Sequence, residues 1–347
     1  MELEFFGADF HRGFTILSSG SGPVWVCPHS GPSIETVTSR DDNSDTVASR
    51  CWLKTGGTLI ISGISRKMTY GVDFNRNIPP KDVALNLFDE FFTHILSSRL
   101  ERYRKEYAWS ARNSTDYKTR SNIYNDFWKA VERSGNVVVF VHRQFTRMKN
   151  YPSLMDIITY QGEGVNKKIV ETVVGNINKK YERFFKKIWS YYKDYIIMEE
   201  RRIIEVIKEK FGEFDINRLK IEYRKNILKD IEISKKYAEM KIIKEFENNP
   251  NERNFLKLIK SALKNGPHPI ITVESVFKGS RAMRMKKPMF LKKDHVVLEV
   301  ESTAFFNYWF PDKAADILID LLGHLVSIDA YKKMGAKQTQ ILKFIKG

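Results

Sequence analysis

Two histidines stand where a sheet protein keeps its reactive groups. His29 follows the apolar run Val24-Trp-Val-Cys27 through Pro28, and His142 follows Val137-Val-Val-Phe-Val141 directly. Sites in α/β proteins lie just past the carboxyl ends of strands, and neighbouring strands are about 4.8 Å apart, so two imidazoles on two strand ends can converge on one metal ion. A hard-edged divalent site on two histidines usually adds a carboxylate and keeps a position open for water. The cluster Asp41-Asp42-Asn43-Ser44-Asp45 can supply it, and the same residues also suit a solvated helix start with Asp or Ser as the cap. Glu35 is a further candidate ligand. The other histidines, His11, His94, His268, His295 and His324, read as structural or surface residues.

Past the apolar run Thr58–Ser62 come Ser65-Arg66 and Asp73-Phe-Asn-Arg76. Two arginines and Asn75 suit an anionic substrate, because Arg makes a fork onto a carboxylate and Asn adds a directional hydrogen bond. The alternative is an Arg–Asp pair that only ties down a loop. In His295-Val-Val-Leu-Glu-Val-Glu301 two acids interrupt an apolar run, and Glu299 and Glu301, two apart on a strand, leave the same face. Beside a metal, such a pair is what general-base activation of water requires; otherwise it is the polar face of an edge strand.

The elements that must position these groups alternate. Up to about residue 175, apolar runs at Phe14–Ser18, Val24–Cys27, Thr58–Ser62 and Val137–Val141 are interleaved with a helical block that opens after Pro79-Pro80 and reaches Val131. Strand-like runs resume only at Ile270–Val273 and His295–Glu301, and an amphipathic helix closes the pattern over Pro311–Val326. The pattern predicts an α/β fold with a mixed, mostly parallel central sheet flanked by helices, built from residues 1–175 and 266–347.

Residues 176–265 separate the two parts. They are rich in Lys, Glu and Ile, nearly free of Gly and Pro, and carry roughly half of the chain's net charge of +16. Tyr181, Phe184, Phe185, Ile188, Tyr191, Tyr192 and Tyr195 recur at helical steps, which predicts an inserted helical hairpin followed by a short third helix. Lysines among aromatics can serve nucleic acid, and an aromatic stripe can serve a second copy of the chain, but the interspersed glutamates favour a solvated, ion-paired insertion. Nucleic acid is therefore not the favoured partner.

Among 347 residues, 42% hydrophobic composition with a mean hydropathy of −0.40 excludes a disordered chain and a membrane-spanning one. The acidic start Met1-Glu-Leu-Glu-Phe-Phe is unlike a signal peptide, and Cys27 and Cys51 read as reduced thiols, so a cytoplasmic protein is expected.

In order, Pro28-His-Ser-Gly31, the Asp41–Asp45 cluster, Ser65-Arg66, Asp73-Phe-Asn-Arg76, Val141-His142, Phe277-Lys-Gly279 and Leu298-Glu-Val-Glu301 resemble the motif series of the N-formylglutamate amidohydrolase family, relatives of the zinc carboxypeptidases and aspartoacylases. The resemblance covers about residues 15–175 and 266–325. It implies a zinc-carboxypeptidase-like fold and one zinc ion held by His29, His142 and either Asp45 or Asp41. It makes Glu301 the catalytic base, places Arg66 near the developing oxyanion, and assigns Asp73, Asn75, Arg76, Lys278 and Gly279 to the substrate. The substrate it implies is a small acidic N-acyl or N-formyl amino acid or a short peptide. The chain departs from the pattern in the longer interval from Arg66 to Asp73, in Glu299 where glutamine is usual, and in the helical insertion. The rival expectation is a nucleic-acid or protein-partner binding protein that uses the basic insertion on a hydrolase-like scaffold.

Overall fold

The computed structural model describes residues 7–11, 13–32, 40–92, 98–216, 219, 221–279, 283–292 and 295–327; Glu35, His94 and the first six residues lie outside them. Eight strands form one sheet: β1 (Gly7–His11), β2 (Phe14–Ser19), β3 (Val24–Cys27), β4 (Gly57–Ser62), β5 (Val137–Gln144), β6 (Ser153–Ile158), β7 (Ile270–Val273) and β8 (Val296–Thr303). Their order is β1-β2-β4-β3-β5-β8-β6-β7. The central β4, β3, β5 and β8 are parallel, β2 and β6 join them antiparallel, and β1 and β7 close the edges. The α/β class with a mixed sheet is as expected.

The central strands are parallel because they are apolar on both faces. Along β5, Val137, Val139 and Val141 enter one core while Val138 and Phe140 enter the other. The first core is covered by α1 (Ser44–Thr55), α10 (Ala304–Trp309) and α11 (Pro311–Ser327). The second lies under α4 (Ser114–Ser134), α9 (Met283–Phe290) and an aromatic cluster of Phe74, Trp109, Tyr124 and Phe127. The short α2 (Lys81–Asn86) and α3 (Ser98–Glu106) precede α4. Chain order runs from β3 through α1 to β4 on one side, then crosses back to β5 on the other, so the order of strand addition reverses between the parallel β3 and β5. That reversal opens a crevice at the strands' carboxyl ends, where ligands bind in open α/β sheets.

Two strands are absent from the expected set: β1, with His11 at its end, and β6, which lies between β5 and the helical segment. β6 is apolar but carries Asp156 in its middle, which disguises a fully buried strand as a loop.

The helical segment is larger and more integral than a hairpin with one extra helix. α5 runs from Lys167 to Phe211, and α6 (Ile221–Lys235), α7 (Met240–Asn248) and α8 (Glu252–Asn265) follow. The first turns of α5 bury Val170, Val173, Val174 and Ile177 against the sheet, and Asn178 uses both ends of its amide on the backbone of Ile271 at 2.8 and 2.9 Å, pairing the outer edge of β7. Phe185, Ile188, Tyr192, Ile196 and Ile204 are buried in the same continuous core, each contributing about 1.5–3 kcal/mol. The aromatic stripe thus packs on its own chain, with Tyr191 the ring left mostly in solvent. No helix among the described residues is long and apolar enough to cross a membrane.

Candidate metal centre

His29 and His142 meet at the crevice between β3 and β5. Their ring centroids are 4.8 Å apart, and both Nδ1 atoms face one oxygen of Asp41, Oδ2, at 3.3 Å for His29 and 2.8 Å for His142. His29, Asp41 and His142 are all buried, and each offers a ligand atom within 4.8 Å of the others. Two imidazoles and one carboxylate are the donor set of a three-ligand zinc site that keeps further positions open. The residues present fit a divalent ion.

Close approaches of the backbone bring these groups together. After β3, Ser30 bonds the carbonyls of Cys27 and Ser62, and a Cβ on Gly31 would stand 1.8 Å from the Ile64 carbonyl oxygen, so only glycine lets the His29 turn pass the exit of β4. The Asp41 amide then donates to the His29 carbonyl at 3.0 Å. Asp41, not Asp45, is the aspartate that joins the two histidines: Asp45 lies in the first turn of α1 and pairs with Arg40 at 3.0 Å. Asn43 caps α1 in the left-handed conformation, so Asp41 lies in the turn before the helix and Asp45 in its first turn, which divides a cluster that looked interchangeable between the crevice and the helix start.

Asp73 takes a different place from the one expected. Its Oδ1 is 2.9 Å from His29 Nε2, its Oδ2 is 3.4 Å from Arg66 Nη2, and Arg66 Nη1 reaches Asp41 Oδ1, also at 3.4 Å. Asp73 thus fixes the His29 ring, the place that a carboxylate behind a metal-bound imidazole would take. Arg66 spans both aspartates. The long interval between Arg66 and Asp73 closes on itself: Val72 donates to the Ser65 carbonyl at 2.9 Å, and a Cβ on Gly71 would lie 1.7 Å from that oxygen. From α4, Arg120 fastens the loop by bonding the carbonyls of Met68, Thr69 and Gly71. Nothing in the local sequence pattern marks Arg120 for this task.

Burial alone would raise both aspartates, but hydrogen bonds from His142 and His29 hold Asp41 well below the usual carboxylate range. For Asp73, Arg66, Arg76 and His29 do the same. Burial lowers His142 against the opposing pull of Asp41. Both aspartates are therefore anionic and ready to attract a cation.

Asn75 Nδ2 lies 3.2 Å from His142 Nε2, while its Oδ1 is buried without a hydrogen-bond partner. Turned over, the amide would accept from Nε2 and present Nδ2 instead; in either orientation one polar end of Asn75 is left for a ligand. Arg76 bonds the Asn75 carbonyl at 2.9 Å and stands 3.9 Å from Asp73.

Glu299 and Glu301 share a face, opposite Phe140 and His142 in the β5–β8 ladder. Their environments separate them. Glu299 pairs with the fully buried Lys286 and accepts from Tyr160 at 2.8 Å; against the effect of burial, Lys286 and then His142 draw its carboxyl down to about 2. Glu301 has no such cation, so burial, then Glu299 and Asp41, push it well above the ordinary value, with Arg66 opposing. A permanent anion and a proton acceptor thus sit side by side. Lys286 and Tyr160 escaped the sequence reading because a lysine in the run Met-Arg-Met-Lys-Lys looks like a surface residue.

Opposite Glu301 on its other side is Asp156, which takes the backbone N–H groups of Ser275, Val276 and Phe277 at 2.9 to 3.1 Å. The loop carrying Lys278 and Gly279 therefore hangs from the strand beside Glu301. Gly279 has a positive φ and packs against Ile158 and Tyr160, while the Lys278 side chain is exposed. No family model, curated protein or solved structure matches the chain.

Proposed function

We propose that the chain is a zinc-dependent amidohydrolase that cleaves an N-acyl or N-formyl amino acid, or a short peptide, as its resemblance to the N-formylglutamate amidohydrolases implies. The observation that carries this reading is the buried convergence of His29, Asp41 and His142 at the sheet's reversal point, with Glu301 across the ladder from His142. His29, Asp41 and His142 would hold the ion, and when bound it supplies Lewis acidity that polarises the amide carbonyl and acidifies water.

The chain's own residues do the rest. Glu301, made more basic by burial and by neighbouring carboxylates, takes the proton of the attacking water and returns it to the leaving nitrogen. Arg66, held in the site by Asp41 and Asp73, faces the charge that develops on the carbonyl oxygen, an effect of about 3 kcal/mol for a well-placed donor. Asn75 and Arg76 receive the substrate carboxylate, and the Lys278–Gly279 loop closes over it. The two buried thiols, Cys27 and Cys51, are free, which accords with a cytoplasmic setting.

The test is elemental analysis of protein purified without added metal, beside His29→Ala and His142→Ala. About one zinc per wild-type chain, lost in both variants and accompanied by turnover of an N-acyl amino acid, is the expected result. A wild-type chain that holds no metal and takes none up when zinc is offered overturns the reading.

A further inference from the structure

His142, Glu301 and Asp156 stand in one row across neighbouring strands: Glu301 is opposite His142 in the β5–β8 ladder and opposite Asp156 in the β8–β6 ladder. Residues paired across a ladder share a face, so Asp156 lies on the face of the candidate metal centre, two strand spacings or about 10 Å from His142. The proposed mechanism gives it no task. It is fully buried, and the segment after β7 engages both of its oxygens: Oδ1 accepts from the Thr272 hydroxyl at 2.7 Å and the Ser275 amide at 3.1 Å, and Oδ2 from the amides of Val276 and Phe277, both at 2.9 Å.

Strand direction alone would not give this geometry. β6 and β7 run parallel to each other and opposite to β8, so the chain leaves β7 heading away from Glu301 and must fold back over the face to reach Asp156. The reversal begins at Glu274, whose φ of 47° is left-handed. Glu274 in turn accepts from the amides of Thr159 and Gln161, at 3.0 and 2.7 Å, and so holds the turn after β6, where Tyr160 and Gln161 are also left-handed. Such residues cost about 1–3 kcal/mol each and persist only where the surroundings over-determine them. The two acids form a reciprocal clasp: Asp156 of β6 holds the exit of β7, and Glu274 at the exit of β7 holds the exit of β6.

The far end of the segment is fixed against the same row. A Cβ on Gly279 would stand 2.7 Å from both Ile158 and Tyr160; Ile158 is opposite Glu299 in the ladder, and Tyr160 donates to Glu299. Ser275–Gly279 therefore runs alongside the acid pair, tied down opposite Glu301 at one end and opposite Glu299 at the other. Because Asp156 takes up three of its amides, what the segment offers a ligand is the exposed Phe277 ring and the exposed Lys278 ammonium.

We propose that Asp156 is a positioning residue for substrate: by gathering the amides of Ser275, Val276 and Phe277 it builds the outer wall of the site and sets substrate affinity, while Glu301 sets turnover. The role toward an amide rests on the amidohydrolase reading; the wall itself does not.

The experiment compares the full-length, zinc-loaded wild type with Asp156→Asn and Gly279→Ala. In Asp156→Asn one acceptor oxygen becomes a donor, so the amides of Ser275–Phe277 exchange with deuterium about tenfold faster or more, and KM for an N-acyl amino acid rises about tenfold, with zinc retained and kcat within about threefold of wild type. Gly279→Ala leaves the Asp156 charge near Glu301 in place and displaces only the far end of the wall, and KM rises there also. Exchange unchanged in Asp156→Asn, a fall in its kcat with KM unchanged, or KM unchanged in both variants each overturns the proposal; should Asp156→Asn fail to fold, the KM of Gly279→Ala decides alone. If the zinc-loaded wild type cleaves no N-acyl amino acid, the hydrolase reading falls and the wall is read with glutarate, a dicarboxylate that has no amide. Glutarate slows exchange at Lys278 and Gly279 in the wild type but not in Asp156→Asn, and glutarate without effect on the wild type overturns the wall as well.

Discussion

Glu301 stands directly opposite His142 in the parallel ladder between β5 and β8, and from that position burial and the carboxylates of Glu299 and Asp41 hold its carboxyl high. An ionised glutamate whose folded value is raised costs stability at neutral pH, so the group is retained against its own folding energy. Glu301→Gln keeps the shape and removes the proton acceptor. It lowers kcat by about 10²–10⁴ with zinc content unchanged. The metal-free variant also melts at a higher temperature than the wild type, because the repulsion is gone. Near-wild-type turnover would remove Glu301 from the mechanism, and an unchanged or lower melting temperature would mean that its charge is not resisted.

Asp41 and Asp45 separate the two assignments that the sequence left open. Asp41→Asn removes the oxygen charge on which both Nδ1 atoms converge and abolishes zinc retention. Asp45→Asn breaks only a surface pair with Arg40 and leaves zinc content intact, at a stability cost below about 1 kcal/mol. Equal zinc loss in both variants, measured by elemental analysis, would contradict this division.

Asp73 stands behind His29. Its contact with His29 Nε2 fixes the ring, so Asp73→Asn weakens zinc affinity about 10–100-fold in competition with a chromogenic chelator. If Asp73 faced substrate instead, KM would rise with metal affinity unchanged.

What the sequence shows of this site follows from what periodicity can encode. Strand ends are visible as the points where apolar runs stop, so His29, His142 and the Glu299–Glu301 pair are legible, and so is the α/β alternation. Contacts that depend on loop closure are not. Asp41 differs from Asp45 only through where α1 begins, and the role of Asp73 depends on the turn at Gly71. Buried charge misleads most: Asp156 hides a core strand, and Lys286 is fully buried although its neighbours in sequence are those of a surface helix.

The Lys286–Glu299 pair sets a pH dependence. Glu299 titrates near 2 in the folded chain and near 4.3 when unfolded, so its stabilisation is complete above about pH 4.3 and is lost as pH falls toward 2. Glu299→Gln leaves Lys286 buried without its counter-charge and is less stable by about 3–5 kcal/mol at pH 7. Urea unfolding of both proteins should show that gap narrowing below pH 4.3 by at most about 1.4 kcal/mol per unit. A gap that stays constant down to pH 3 would show that the ion pair is not its source.

Arg147 joins the helical segment to the sheet. It is buried between Glu200 of α5 and Asp230 of α6; the Met148 amide donates to Glu200 at 2.9 Å and the Lys149 amide to Asp230 at 2.7 Å, so one side chain and two backbone groups hold both helices to the turn after β5. Arg147→Ala leaves two buried carboxylates facing each other and costs about 3–5 kcal/mol, whereas Lys in its place recovers only part because it lacks the fork. The loss is local. Hydrogen exchange quickens first in α6 and the adjoining part of α5. Zinc retention, which depends on β3, β5 and the Asp41 turn, persists in Arg147→Ala. Loss of zinc alongside the quickened exchange would mean that the helices and the metal centre unfold as one unit.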